Sequence, residues 1–264
     1  MDLPAVVGGA HRSGTSLVRR LLNAHSRFHC GPEVTFFRDL NGDYFADPLA
    51  HLRFTQSARS LVDEDTLLEV LGAAYVELHR RAAVAAGKAR WADKSPDNAL
   101  HLDGWHRLLG DDWLPVLVVR NPLDVLASMD EAGFPLSLPA DLPGRVQHYV
   151  RYVDSGLSFL ERHAGRGTVV VYEELTADPV AGVTSLMAAL GEDLETQQLA
   201  FNELDHGTGL EDPKVAATTG VEHRRPRDRD GGFSADDRLL VLSTTRPVQD
   251  RLSAFLQRDL PGWP

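Results

Sequence analysis

Hydrophobic positions along the chain alternate between short apolar runs and longer stretches of helical period. Ala5-Val6-Val7-Gly8-Gly9 reads as a short buried strand, and Leu17, Val18, Leu21 and Leu22 then recur at helical spacing behind a loop, His11 to Gly14. Residues 47–60 predict a short helix. Residues 64–86 predict a long one, with Leu67, Leu68, Leu71, Tyr75 and Leu78 on one face and Gly87 as its stop. Arg90 to Asp93 is a brief extended segment, and Ser95-Pro96-Asp97 starts another helix with proline near its first turn. Leu114 to Val119 is the clearest strand and leads through Arg120-Asn121-Pro122 into a helix over roughly Leu123 to Asp130.

Gly133 to Gly144 is a Pro- and Gly-rich loop able to cover a site. A helix over about 145–163, a β-branched strand from Thr168 to Tyr172, and helices near 179–190, 194–205 and 235–257 follow. Gly207 to Gly232 is polar and irregular, too long for a plain connection. Strands alternating with helices predict an α/β fold of three layers, a mostly parallel sheet with helices on both faces. The whole chain, residues 1–264, is expected to be one domain.

Composition changes this picture little. Hydrophobic residues make up 43% of the 264 and charged residues 25%, an ordinary globular balance with enough apolar material for a core. Cys30 is the only cysteine, so no intramolecular disulfide forms. No signal peptide and no membrane-length apolar run is legible, and a cytoplasmic protein without a membrane partner is expected. The net charge of −11 argues against a general nucleic-acid binder. It leaves room for a small anion, because Arg12, Arg19, Arg20, Arg27 and Arg38 crowd the first forty residues.

The chemistry concentrates in Gly9-Ala10-His11-Arg12-Ser13-Gly14-Thr15-Ser16. A strand feeding a glycine-containing loop and then a helix N-terminus is an anion site, because backbone N–H groups and the helix dipole both favour negative charge. Gly14 permits close approach, Thr15 and Ser16 add hydroxyls, and Arg12 adds a planar charge. Gly9 and Gly14 have the spacing of a nucleotide-binding P-loop, but Thr15 stands where the lysine of that motif belongs.

This segment resembles the 5'-phosphosulfate loop of sulfotransferases that use 3'-phosphoadenosine 5'-phosphosulfate (PAPS). It is closest to the branch holding the tyrosylprotein sulfotransferases and their bacterial relatives, with His11 where that branch often has proline. The resemblance implies a P-loop-like fold, with Arg12, Ser13, Gly14, Thr15 and Ser16 holding the 5'-phosphosulfate. Val119-Arg120-Asn121-Pro122, with Ser128 eight residues after Arg120 (128 − 120), is similar to the family's 3'-phosphate site. Trp91-Ala92-Asp93-Lys94-Ser95-Pro96 looks like its Lys-x-Pro element, whose lysine approaches the transferring group. Gly31-Pro32-Glu33 resembles the element that supplies the general base. Val171-Tyr172-Glu173-Glu174-Leu175 is similar to a strand end near the nucleotide, and Lys214, Thr218 and Thr219 match loosely a loop folded over it.

The resemblance thus implies transfer of a sulfuryl group from PAPS to a hydroxyl of an acceptor, expected to be a small molecule. The reaction is an in-line displacement with Glu33 as base, or His11 in its place, and Arg12 and Lys94 stabilising charge. No metal is required, and the histidines show no zinc spacing. Residues 36–86 and 133–165 carry no family motif and are expected to contact the acceptor. A kinase on a P-loop-like fold and a non-catalytic nucleotide-binding protein remain as alternatives.

Overall fold

The computed structural model describes residues 2–41, 57–132, 138–207, 215, 218, 220–221, 232–260 and 262–263. Five parallel strands lie in the order β2-β3-β1-β4-β5: β1 (Ala5–Gly9), β2 (Phe28–His29), β3 (Arg90–Lys94), β4 (Leu114–Val119) and β5 (Thr168–Val171). Central β1 pairs with β3, placing Val7 beside Lys94, and with β4, placing Val7 beside Val116. Every pairing is parallel. The sequence pattern does not reveal β2, whose two residues are too short to show a period.

Alternation along the strands builds two cores. Ala5, Val7, Val116, Val118 and Val170 face one way, onto α1 (Thr15–Ala24) and, farther along the chain, Leu175, Val183, Leu186 and Met187. Val6, Leu117, Val119 and Val171 face the other way. There they meet α3 (Glu64–Ala85), which follows α2 (Phe36–Asn41), and then α4 (Leu102–Leu109), α5 (Pro122–Ala132), α6 (Leu142–Arg162) and α10 (Ala235–Leu256). The smaller α7 (Tyr172–Ala177), α8 (Pro179–Ala189) and α9 (Thr196–Leu199) lie between β5 and α10 in the chain.

Several boundaries differ from the pattern for physical reasons. In α3 the buried stripe runs through Leu68, Gly72, Tyr75, Val76 and Ala83, which leaves Leu78 at its margin and 65% exposed. The turn at Pro96–Leu100 is a 3-10 helix, and α4 begins only after His101. Helix α6 starts three residues early. Asp141 accepts the Gly144 N–H at 2.8 Å, and Pro143 is tolerated in a first turn. The single helix expected over 194–205 is instead α9 and a 3-10 turn, Phe201–Glu203. Tyr172 opens α7 and does not end β5. The expected helix over 47–60 lies largely outside the described residues, as do Gly133 to Ser137, Lys214 and Thr219.

Gly8 is required where the 3-10 turn crosses β1, because a Cβ there would sit 2.3 Å from the Ala99 nitrogen. The order of strands also sets the position of the site. After β1 the chain turns toward β2 and β3, and after β4 it turns toward β5. The two loops therefore open side by side at the carboxyl ends of adjacent strands, where parallel sheets of this kind bind ligands. No described helix is long and apolar enough to cross a membrane.

Candidate active site

The loop after β1 closes on itself, with the Ser13 N–H donating to the Ala10 carbonyl at 3.1 Å. Arg12 takes a left-handed conformation, φ 70°, and Gly14 follows at φ 106°. For an arginine that conformation costs on the order of 1 kcal/mol, and such strain gathers where a ligand is held. Gly14 cannot be replaced by a larger residue. A Cβ there would lie 2.5 Å from Cδ2 of Tyr172, whose ring packs on the loop. Helix α1 begins at Thr15 with no capping side chain and no acidic residue in its first turn. The positive end of its dipole thus opens uncompensated at the switch point. Ser13 Oγ is buried without a hydrogen-bond partner among the described residues.

Arg12 Nε donates to Ser128 Oγ at 3.0 Å, joining this loop to α5. Arg120 Nη1 donates to the Arg12 carbonyl at 3.3 Å, and its guanidinium lies 4.4 Å over the Tyr172 ring. The Tyr149 hydroxyl fixes the Arg120 carbonyl at 2.9 Å. The Nε of Arg120 is buried and has no acceptor among the described residues. A buried guanidinium donor left unsatisfied is costly, so its neighbourhood is suited to an anion. Arg12, Ser128, Arg120 and Tyr172 lie in three separate stretches of sequence and form one contact group.

A second group forms across β1 and β3. Lys94, 2% exposed at the end of β3, donates to Ser16 Oγ at 3.3 Å and ion-pairs with the Glu33 carboxylate. Pairing is what makes a buried ammonium tolerable. Arg19 of α1 anchors the turn that carries Glu33, with Nη1 donating to the carbonyls of Cys30 at 3.3 Å and Gly31 at 3.1 Å. Ser16, Lys94 and Glu33 meet, although 78 residues separate Ser16 from Lys94.

Behind the loop lies a buried cluster that the sequence did not reveal. Arg38 Nη2 sits 2.5 Å from Asp97 Oδ2 and 3.2 Å from His11 Nε2, His11 Nδ1 is 3.1 Å from His148 Nε2, and the Tyr152 hydroxyl donates to Asp97. Arginine only donates, so His11 accepts on Nε2, carries its proton on Nδ1 and passes it toward His148. Burial, and then the charges of Arg38, Lys94 and Arg12, hold His11 well below the ordinary imidazole range. Burial, with His11 next, pushes His148 down to about 3. Both rings are therefore neutral, and the contact between them spans 137 residues. Only tertiary packing brings them together; no local spacing announces the cluster. Arg38, His148 and Tyr152 do lie in the stretches, 36–86 and 133–165, that carry no family motif.

Thr218, expected near the nucleotide, appears only as a local turn, bonding the Val215 carbonyl through its N–H at 3.2 Å and its hydroxyl at 2.8 Å. Among the described residues no group of three or more His, Cys, Asp or Glu side chains is placed to hold a metal ion.

A doubly wound parallel sheet with a glycine-containing strand–loop–helix at its switch point defines a P-loop-like α/β fold. The sulfotransferase family model matches residues 4–196, and the chain belongs to that family. It is a transferase of the sulfotransferase type. The sulfotransferase domain of the olefin synthase of Synechococcus PCC 7002 is similar in fold, at 21% identity and TM-score 0.65, over 91% of this chain and 93% of that one. So is the sulfotransferase domain of the curacin biosynthetic pathway, at 19% identity and TM-score 0.65, over 99% and 100%. A sulfotransferase from Alicyclobacillus acidocaldarius aligns at 20% identity and TM-score 0.58, over 100% and 99%. No curated protein matches the sequence.

Proposed function

We propose that the sulfuryl donor is PAPS, that Arg120 and Ser128 receive its 3'-phosphate, and that the acceptor is a hydroxyl of a small molecule. The observation that carries this reading is the buried, acceptor-free Nε of Arg120, beside a helix N-terminus left without a cap. PAPS brings an activated sulfuryl group on its 5'-phosphate and a second, separate phosphate at the 3' position. Two anions call for two sets of cationic and hydroxyl groups, for which the adjoining loops after β1 and β4 are the candidates. Arg12, Ser13, Gly14, Thr15 and Ser16 surround the first, and Arg120 with Ser128 the second.

Transfer needs a proton taken from the attacking oxygen and charge stabilised on the departing one. Lys94 stands between Ser16 and Glu33, so an ammonium and a carboxylate flank one point. Lys94 stabilises the developing charge, and Glu33, with 17% of its side chain exposed, is reachable from solvent as the base. His11 does not suit that role, because both ring nitrogens are engaged. No cation other than these side chains is needed.

Calorimetric titration with 3',5'-adenosine bisphosphate, against ATP, tests the reading. Micromolar binding of the bisphosphate is expected, lost by about a hundredfold in Arg120→Ala, since removing a buried charged partner costs about 2–5 kcal/mol. Tight ATP binding without preference for a 3'-phosphate overturns it in favour of a kinase.

A further inference from the structure

The turn that presents Arg120 is held from an unexpected direction. Asn121 is fully buried. Its N–H donates to Glu173 Oε1 at 2.9 Å and its side-chain amide to the Gly262 carbonyl at 3.0 Å. Its Oδ1 accepts the Leu123 N–H at 3.0 Å, which caps α5. The other oxygen of Glu173 accepts the Trp263 indole N–H at 3.1 Å. Leu260, in the same segment, is buried in the core that also holds α10. Arg258 ion-pairs with Glu174, next to Glu173.

Asn121 sits directly after Arg120 and at the head of the helix that carries Ser128. Whatever fixes Asn121 fixes the spacing of both groups assigned to the 3'-phosphate. Glu173 alone does not suffice, because a carboxylate at the start of a short helix has rotamer freedom until its second oxygen is engaged. Trp263 engages it. Burial raises the Glu173 carboxyl, while the N–H groups of Asn121 and Trp263 oppose that rise.

We infer that the segment after α10 is a specificity element for the donor: Trp263, through Glu173, and Gly262 hold Asn121 so that Arg120 and Ser128 stand at the separation a 3'-phosphate requires. These are positioning residues and touch no ligand themselves. The inference rests on the 3'-phosphate assignment above.

The test compares affinities for 3',5'-adenosine bisphosphate and 5'-AMP, which lacks the 3'-phosphate, in the whole chain. Trp263→Phe keeps a ring and removes the donor; Asn121→Ser keeps a short cap and removes the reach to Gly262. Trp263→Phe, which loses a hydrogen bond to a carboxylate, is expected to lower the bisphosphate-to-AMP affinity ratio by about tenfold, and Asn121→Ser, which loses one to a neutral carbonyl, by about fivefold, with AMP binding unaltered in both. A general folding defect lowers binding stoichiometry without changing the ratio. A wild-type protein that discriminates, together with two folded variants that discriminate equally well, overturns this inference alone. A wild-type protein that does not discriminate overturns the 3'-phosphate assignment, and this inference with it.

Discussion

Two arginines near the switch point behave differently. Arg38 lies against Asp97, which satisfies its charge, and the pair is walled in by Tyr152, His11 and His148. Arg120 lies on an aromatic face and donates one hydrogen bond to a carbonyl; among the described residues no carboxylate forms an ion pair with it. Asp97 meets the charge of Arg38 within the protein, whereas for Arg120 we propose that a bound anion does so. Charge by itself separates neither structural from functional cations. What separates them is whether the fold supplies the counter-charge. Lys94 stands between the two, paired with a carboxylate that is itself partly exposed.

The sharpest break in this comparison is at Lys94 and Glu33. Glu33→Gln is expected to lower turnover by about 10²–10⁴-fold, the range of general acid–base groups, and Lys94→Met by about 10²–10³-fold. Product binding should survive in both, and tighten in Glu33→Gln, where Lys94 has lost its internal counter-charge. Single-turnover rates and calorimetry together decide. Near-normal turnover in Glu33→Gln would remove it as the base.

Next in size is a stability effect without a specificity effect. Asp97→Asn leaves Arg38 buried beside a neutral amide and is expected to cost about 3–5 kcal/mol in urea denaturation. The bisphosphate-to-AMP ratio of the folded fraction should not move. A changed ratio would mean that the two arginines belong to one site.

The smallest effect is a pH slope. His11 and His148 stay neutral in the fold and take up protons when unfolded, so the unfolded state binds more protons below its own pKa of about 6.5. Stability is therefore full above about pH 6.5 and falls as the pH drops toward the folded value of about 3 for His148. Between pH 6.5 and 5 the slope should approach about 1.4 kcal/mol per pH unit for each ring. His148→Gln keeps an acceptor for His11 and loses one titration, so its slope should be shallower. Equal slopes in the two proteins would show that His148 is already charged in the fold.

Much of this molecule was legible in one dimension. Strands β1, β4 and β5 show as β-branched runs, and the phosphate loop shows because strand, glycine and helix follow one another without interruption. Arg120 and Ser128 are legible as one candidate group because both sit on one strand–helix unit, although in the structure Ser128 Oγ meets Arg12. Such features depend on periodicity and on neighbours a few residues away. Edge strand β2, two residues long, and helix α2, six residues, carry too few positions for a period. The cluster around His11 and the hold of Trp263 and Gly262 on Asn121 join residues more than a hundred apart and have no local signature. The sequence by itself determined the layers and the strand–loop–helix that forms the candidate site, because each follows from local geometry and residue chemistry. Only the tertiary structure decided which cations are neutralised internally, because counter-charges arrive from distant elements whose positions packing alone sets.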